Sequence, residues 1–334
     1  MTPVPHDLPL GLPAPVGVLT AVLVGFFLMH ILFVTMMVGG MMMVLVAQIR
    51  GLKDKAWDHI AHDLAATITV NKSIAVVLGV GPLLAINTLY TVYFYTANAL
   101  TGSFWILIVP LVAGAFLLTY AHKYLWGRLP VWLHLGLILV VMAIFAFVPL
   151  IFLVNVTLML TPDRWGEVQG FWDAAMLPNV WTRYAHFMLS CPAMAGLMVV
   201  WLYRRKADQD RAQVIRMGYR WLLGPTLAQF VVGPLALITL PPTPGSQGLA
   251  VAIFLGSILV AAFLCLVAWG ELKRPDALIG QGFPLVAGAM VVILVLMGGA
   301  RHLYREAALS DHRAAVAAKT EAFRAESEAA RTNP

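Results

Sequence analysis

His186 lies little more than a turn inside an apolar stretch, and Arg183 sits one turn further out on the same helical face. His30 is deep in the first apolar stretch, and His302 closes the last one. An imidazole in hydrocarbon is costly unless something bonds it, so each of these positions is a functional-site candidate by default. A metal would supply the bond. The residues about one turn from His30 are Phe26, Phe27, Phe33 and Val34, which offer nothing to hydrogen-bond. Gly25, Gly39 and Gly40 on the same stretch would let a flat macrocycle or another helix come close. Below His186 the chain continues through Ser190, Ala193 and Gly196, small enough to leave room for a porphyrin face.

A guanidinium matches carboxylate geometry, so Arg183, near the interface, is placed to meet a haem propionate. His302 and Arg305 repeat this histidine-to-arginine spacing, with Arg301 beside them. Neutral imidazole is a standard ligand of haem b. His30, His186 and His302 are therefore the candidate iron ligands of one or more b-type haems, with Arg183, Arg301 and Arg305 near propionates. The plainer alternatives are a His186 bonded to a backbone carbonyl and a His302 in interfacial water. No CxxCH motif exists, and Cys191 and Cys265 both fall inside apolar stretches, so haem would be held by coordination alone.

Other chemistry-bearing residues read as structural. His6, His59, His62 and His312 fall in loops or tails, and His122 and His134 flank a short turn near Arg128 where water could solvate them. Lys72 can snorkel to the surface. Met36, Met37, Met41, Met42 and Met43 form a cluster that suits packing better than ligation. Asp163, Glu167 and Asp173 belong to a loop, so no pair of carboxylates is set inside the membrane for a proton relay.

The elements that must position these residues are transmembrane helices. With 60% hydrophobic and 11% charged residues, the chain cannot be an ordinary soluble domain, in which about 25% are charged. Stretches near 16–49, 64–97, 103–126, 130–160, 178–203, 217–240, 248–271 and 277–302 each meet the bilayer-crossing length of about 20 residues. The expected fold is all-α, a polytopic helical bundle with residues 1–302 as the haem-binding membrane part. Residues 303–334 form a polar, Ala-rich tail with helical propensity, expected to be solvated and outward-facing.

The net charge of +6 reports orientation more than an anionic or nucleic-acid partner. Arg50, Lys53 and Lys55, then Lys123 and Arg128, then Arg204, Arg205, Lys206, Arg211, Arg216 and Arg220, then Lys273 and Arg274 follow alternate spans. The positive-inside rule places all of them in the cytoplasm and both termini outside, in a bacterial inner membrane. Nothing basic precedes the first span, which is expected to remain in the membrane. Trp105, Trp165, Phe171, Trp172 and Trp181 suit an interfacial aromatic belt. Residues 241–248 read as a tight outer turn.

These residues resemble subunit I of the cytochrome bd quinol oxidases. Leu28-Met29-His30-Ile31-Leu32-Phe33-Val34 is similar to that family's first-helix segment, and Asn71, Gly79 and Gly81 to its second. Trp126, Arg128, Leu129, His134, Asn155, Pro162, Phe171, Trp172 and Pro178 continue the match up to His186, which corresponds to the fifth-helix haem b ligand. Arg301 matches the arginine at the end of the eighth helix. The chain departs from the family at Leu107 and Ala115, where it has glutamates linked to oxygen reduction, near Ile253, where it has a methionine ligand, and near Gly298, where it has a glutamate ligand. The family's long quinol loop is replaced by residues 241–248, and its ninth helix is missing.

The resemblance implies a b-type cytochrome subunit of a respiratory complex. It would pass electrons between a quinol pool and a redox partner such as a cytochrome c, in company with other subunits. Two readings stand beside it: a terminal reductase acting on oxygen or nitric oxide with His30 as ligand of an open-sided haem, and a haem-free membrane scaffold or transporter.

Overall fold

The computed structural model describes residues 11–206, 210–245 and 247–332, without the side chains of residues 69–72 and 332. The readings of His6 and of the side chains of Asn71 and Lys72 fall outside it. The regular elements among the described residues are all helical: α1 (Val16–Gly51), α2 (Lys55–Leu89), α3 (Thr91–Thr101), α4 (Ser103–Tyr124), α5 (Val131–Met159), a 3₁₀ turn (Pro162–Arg164), α6 (Phe171–Ala175), α7 (Val180–Tyr203), α8 (Arg211–Ile238), α9 (Gly248–Leu272) and α10 (Phe283–Thr332). Eight of them are long and apolar enough to cross a membrane, as the composition requires.

The second span departs from its expected boundaries. It begins at Lys55, because the Asp54 carboxylate caps the helix by accepting from the Ala56 amide at 3.0 Å. It ends where Tyr90 leaves helical geometry (φ −131°, ψ 38°). The aromatic run beyond becomes the separate α3, whose Tyr93 and Phe94 are buried. Hydropathy alone joins the two, since both are apolar.

The last span does not stop at residue 302. No helix breaker follows, and α10 runs unbroken into the Ala-rich tail. The first part of that tail is docked rather than solvated: Leu309, Val316 and Thr320 are buried. His312 Nδ1 lies 3.2 Å from the Tyr93 hydroxyl of α3. The turn at 241–245 folds over the same helix, with the Gly245 amide donating to the Ala307 carbonyl at 3.2 Å and the Tyr304 hydroxyl to the Pro241 carbonyl at 3.1 Å.

Small residues serve helix packing. A Cβ on Gly39 would collide with the Cys191 carbonyl of α7, and one on Gly40 would stand 2.7 Å from the Ile68 side chain of α2. Gly196, expected to leave room beneath His186, instead faces Gly218 of α8, where either Cβ would strike the other residue's carbonyl. Gly25 alone of the α1 candidates faces open space. Met41, Met43 and Met198 are wholly buried, which bears out the packing role of the methionines. Trp165 is also buried and donates to the Leu158 carbonyl at 2.9 Å, while Trp172 and Trp181 are exposed as a belt requires.

The basic residues that follow alternate spans gather at one end. There Lys206 pairs with Asp63 at 3.3 Å, Arg216 with Asp276 at 2.5 Å and Arg274 with the buried Glu271 at 2.7 Å. The opposite end carries the turn at 241–245, α3, α6 and the start of α7.

Candidate functional site

His30 is not partnerless, contrary to the expectation from its greasy neighbours. Its Nδ1 lies 2.7 Å from the Ala75 carbonyl of α2. A carbonyl only accepts, so Nδ1 carries the proton and Nε2 keeps its lone pair. That is the tautomer an iron ligand needs, fixed by a backbone acceptor. Gly79, one turn along α2, makes the approach possible: a Cβ there would stand 2.8 Å from Cε1 and 2.9 Å from Nδ1 of the ring.

His186, in the first third of α7, is in a different position. Its Nδ1 is shielded from solvent and meets no hydrogen-bond partner among the described residues. Gln229 of α8 reaches across, and its Nε2 donates to the His186 carbonyl at 2.7 Å. The Oε1 of that same amide is likewise buried without a partner. An imidazole Nδ1–H and an amide oxygen are complementary, and Gln229 was not legible as a site residue because it lies in a separate span.

The end of the bundle that holds the start of α7 collects three arginines, of which Arg183 lies one turn from His186. Arg183 donates from Nη1 to the Thr157 hydroxyl of α5 at 3.2 Å. Arg301 stacks over the Phe27 ring of α1 at 4.3 Å and feels the charges of both Arg183 and Arg305. Arg305 is buried, stands over the Tyr90 ring at 4.7 Å and donates from Nη2 to His302 Nδ1 at 3.0 Å. Among the described residues its Nε meets no hydrogen-bond partner. Among the described residues no ion pair reaches any of the three.

The contact with Arg305 decides the state of His302. A guanidinium only donates, so His302 Nδ1 is the acceptor and the ring proton sits on Nε2. The nearest carboxylate on α10, Glu306, is engaged elsewhere: it accepts from the Tyr90 hydroxyl and from Arg313 Nη1, the latter at 2.8 Å. Tyr90, Glu306 and Arg313 thus form a network that hydropathy reading missed, since Glu306 and Arg313 lie past the last apolar stretch and Tyr90 reads as one more apolar residue of the second. A small cavity at Arg183 is lined also by Thr157, Asn179 and Tyr304.

His122 and His134 are buried, contrary to the expectation that water solvates them. His134 Nε2 donates to the His122 carbonyl at 2.7 Å, and its Nδ1 accepts from the Gln48 amide. The Gln48 oxygen accepts from His122 Nε2 at 3.2 Å. The two rings stack with centroids 4.0 Å apart. His62 contributes an edge contact to Trp126. Among the described residues no three His, Cys, Asp or Glu side chains come together as a cage for a bare metal ion.

The sequence matches no family model and no curated protein. Among solved structures, a chain of the bd oxidase from Geobacillus thermodenitrificans superposes with a TM-score of 0.68 at 15% identity, covering 88% of each chain. The chain is similar in fold to a bd oxidase chain. At that identity the likeness speaks for the helical architecture, in agreement with the expected all-α membrane bundle. The positions where the resemblance places family carboxylates have other uses here: Ala115 is in the core, Leu107 is exposed on the outer surface of α4, and a Cβ on Gly298 would meet Leu28 of α1 at 2.7 Å.

Proposed function

We propose that the chain is a b-type cytochrome subunit of a respiratory electron-transfer complex, passing electrons between the quinol pool and a redox partner at the outer face. One observation carries this reading: Arg183, Arg301 and Arg305, none with a carboxylate partner among the described residues, stand within one another's field, and Arg183 lies one turn from the buried His186. Unpaired buried charge is expensive, so such a cluster calls for an anion from outside the chain. Haem would supply that anion as two propionates for the guanidiniums, and iron for the free Nε2 of the neighbouring imidazole.

In this reading His186 is the outer ligand, and Gln229 Oε1 holds its Nδ1 proton so that Nε2 faces the metal. His30 serves a second haem, set in the ligating tautomer by Ala75. Arg183, Arg301 and Arg305 hold propionates. His302 would join as a ligand through Nε2 only after giving up its bond to Arg305, so iron is assigned first to His186 and His30. Bound haem b supplies reversible one-electron transfer, and the chain contributes orientation, charge and exclusion of water.

The grouping of basic residues supports an inner-membrane orientation with both termini outside, residues 1–302 as the haem-binding bundle and residues 303–334 on the outer face. Companion subunits and a cytochrome c partner follow from the same reading. A terminal reductase is less well supported, because Leu107 and Ala115 offer no carboxylate for proton delivery.

The experiment is pyridine haemochrome quantitation on the purified wild type and His186→Ala. The variant is expected to lose one haem equivalent while keeping its elution profile in detergent. Unchanged haem content overturns the assignment of His186, and a wild type without haem overturns the reading as a whole.

A further inference from the structure

At the basic end of the bundle a cleft of about 600 Å³ opens between α1, α2, α5, α7 and α8. Its walls are mostly apolar, with Met42, Met142 and Met217 among them; Arg50 stands at the basic end of α1, and Arg220, about one turn deeper on α8 than Met217, leans back toward that end as helical side chains lean toward the N-terminus. Both arginine side chains are exposed. Arg50 lies over the Trp57 ring at 4.8 Å, and among the described residues neither arginine has a carboxylate partner. This sets them apart from Lys206, Arg216 and Arg274 at the same end, each of which is paired.

The geometry is that of a site for an amphiphile. Eight residues of α1 separate Arg50 at the rim from Met42 in the wall, a descent of about 12 Å at helical rise. That depth accommodates aliphatic chain below a polar head. A neutral head would leave two guanidiniums uncompensated, whereas a phosphate diester accepts from both. We propose that this cleft holds one anionic phospholipid of the basic-side leaflet, its phosphate on Arg50 and Arg220 and an acyl chain between α1 and α8. Basic pockets between transmembrane helices on the cytoplasmic side suit such headgroups. The proposal does not depend on haem at the outer end.

Trp57 and Trp221 line the cleft and report on it. The protein is reconstituted in phosphatidylcholine vesicles doped with phosphatidylglycerol brominated on its acyl chains, or with brominated phosphatidylcholine instead. Because the chain has ten tryptophans, the signal of these two is taken as the difference between wild type and Trp57→Phe/Trp221→Phe. The expected result is quenching by the anionic lipid at a lower mole fraction, by about fivefold for each guanidinium and so roughly 25-fold for both. Arg50→Gln/Arg220→Gln is expected to abolish the preference, and high salt to weaken it in the wild type.

Equal quenching by the two lipids overturns the proposal, as does a preference that survives both the substitutions and high salt. If the double variant does not fold, the salt titration of the wild type decides alone. Native mass spectrometry provides the second readout: a retained phospholipid mass supports the site, and a quinone mass displaced by the substitutions overturns it. Failure of either lipid to reach the indoles means that a companion chain covers the cleft, and this also overturns it.

Discussion

At the basic end Arg211 donates to the carbonyls of Arg204 and Ile279 at 3.1 and 2.9 Å, and Arg216 to those of Leu272 and Arg274 at 2.6 and 2.8 Å. At the outer end Arg183 has one threonine hydroxyl, Arg301 the face of a phenylalanine, and Arg305 one histidine nitrogen and the face of a tyrosine. The residue type is the same and the surroundings differ. The first set is completed by the chain's own acceptors, as a helix-end staple would be. The second set is held in place by aromatic faces and single neutral acceptors, which position a guanidinium without neutralising it. Such an arrangement is costly for stability alone and reasonable for binding an anion.

The strongest way to break this comparison is charge reversal at the outer end. Arg301→Glu puts a carboxylate where propionates are proposed, and like charges brought together cost several kcal/mol. Haem retention, read by pyridine haemochrome in a ligand-exchange titration, is expected to fall on the order of 10³-fold, which corresponds to about 4 kcal/mol. Retention at the wild-type level would make the outer arginines no different from the basic-end ones.

The matching change at the other end is Glu271→Gln. Glu271 is buried, accepts from the Gly280 and Gly282 amides at 2.5 and 3.0 Å, and pairs with Arg274. Removing its charge is expected to cost about 3 kcal/mol of stability. A lowered thermal midpoint with unchanged haem content is the expected pattern, and haem loss at constant midpoint would contradict it.

Gln229→Leu sharpens the comparison between the two histidines. Losing the proposed partner of His186 Nδ1 is expected to weaken haem binding about 10- to 100-fold at that site alone. The shift in midpoint potential should likewise be confined to one haem, measured by redox titration. Gly79→Ala addresses His30 with a smaller effect. The added methyl would press on the imidazole, costing about 1–2 kcal/mol of stability, and disturb the spectrum of the other haem. Gly25→Ala, which meets open space, serves as the control and is expected to change neither.

The legible part of the site was a matter of residue type and depth. His30 and His186 stand out because an imidazole in an apolar run is rare and local in the sequence. What the neighbours along the helix could not tell was that Ala75, forty-five residues away, accepts from His30, or that Gln229 of α8 reaches His186. His122 and His134 were misread for the same reason. A turn at the membrane surface suggests water, yet Gln48 of α1 covers both rings. Gly196 looked like room for a porphyrin until Gly218 of α8 filled it.

The amino-acid sequence by itself determined the membrane-spanning class, most span positions, the segregation of basic residues to alternate loops and the short list of histidines and arginines. These are sums over neighbouring residues, so hydropathy, propensity and charge suffice. Only the tertiary structure decided which ring nitrogen carries the proton, which arginines lack an acid, which glycines are packed and that the α10 tail docks on α3. Hydrogen-bond satisfaction and charge pairing depend on partners from other helices, and those partners meet only when the bundle closes.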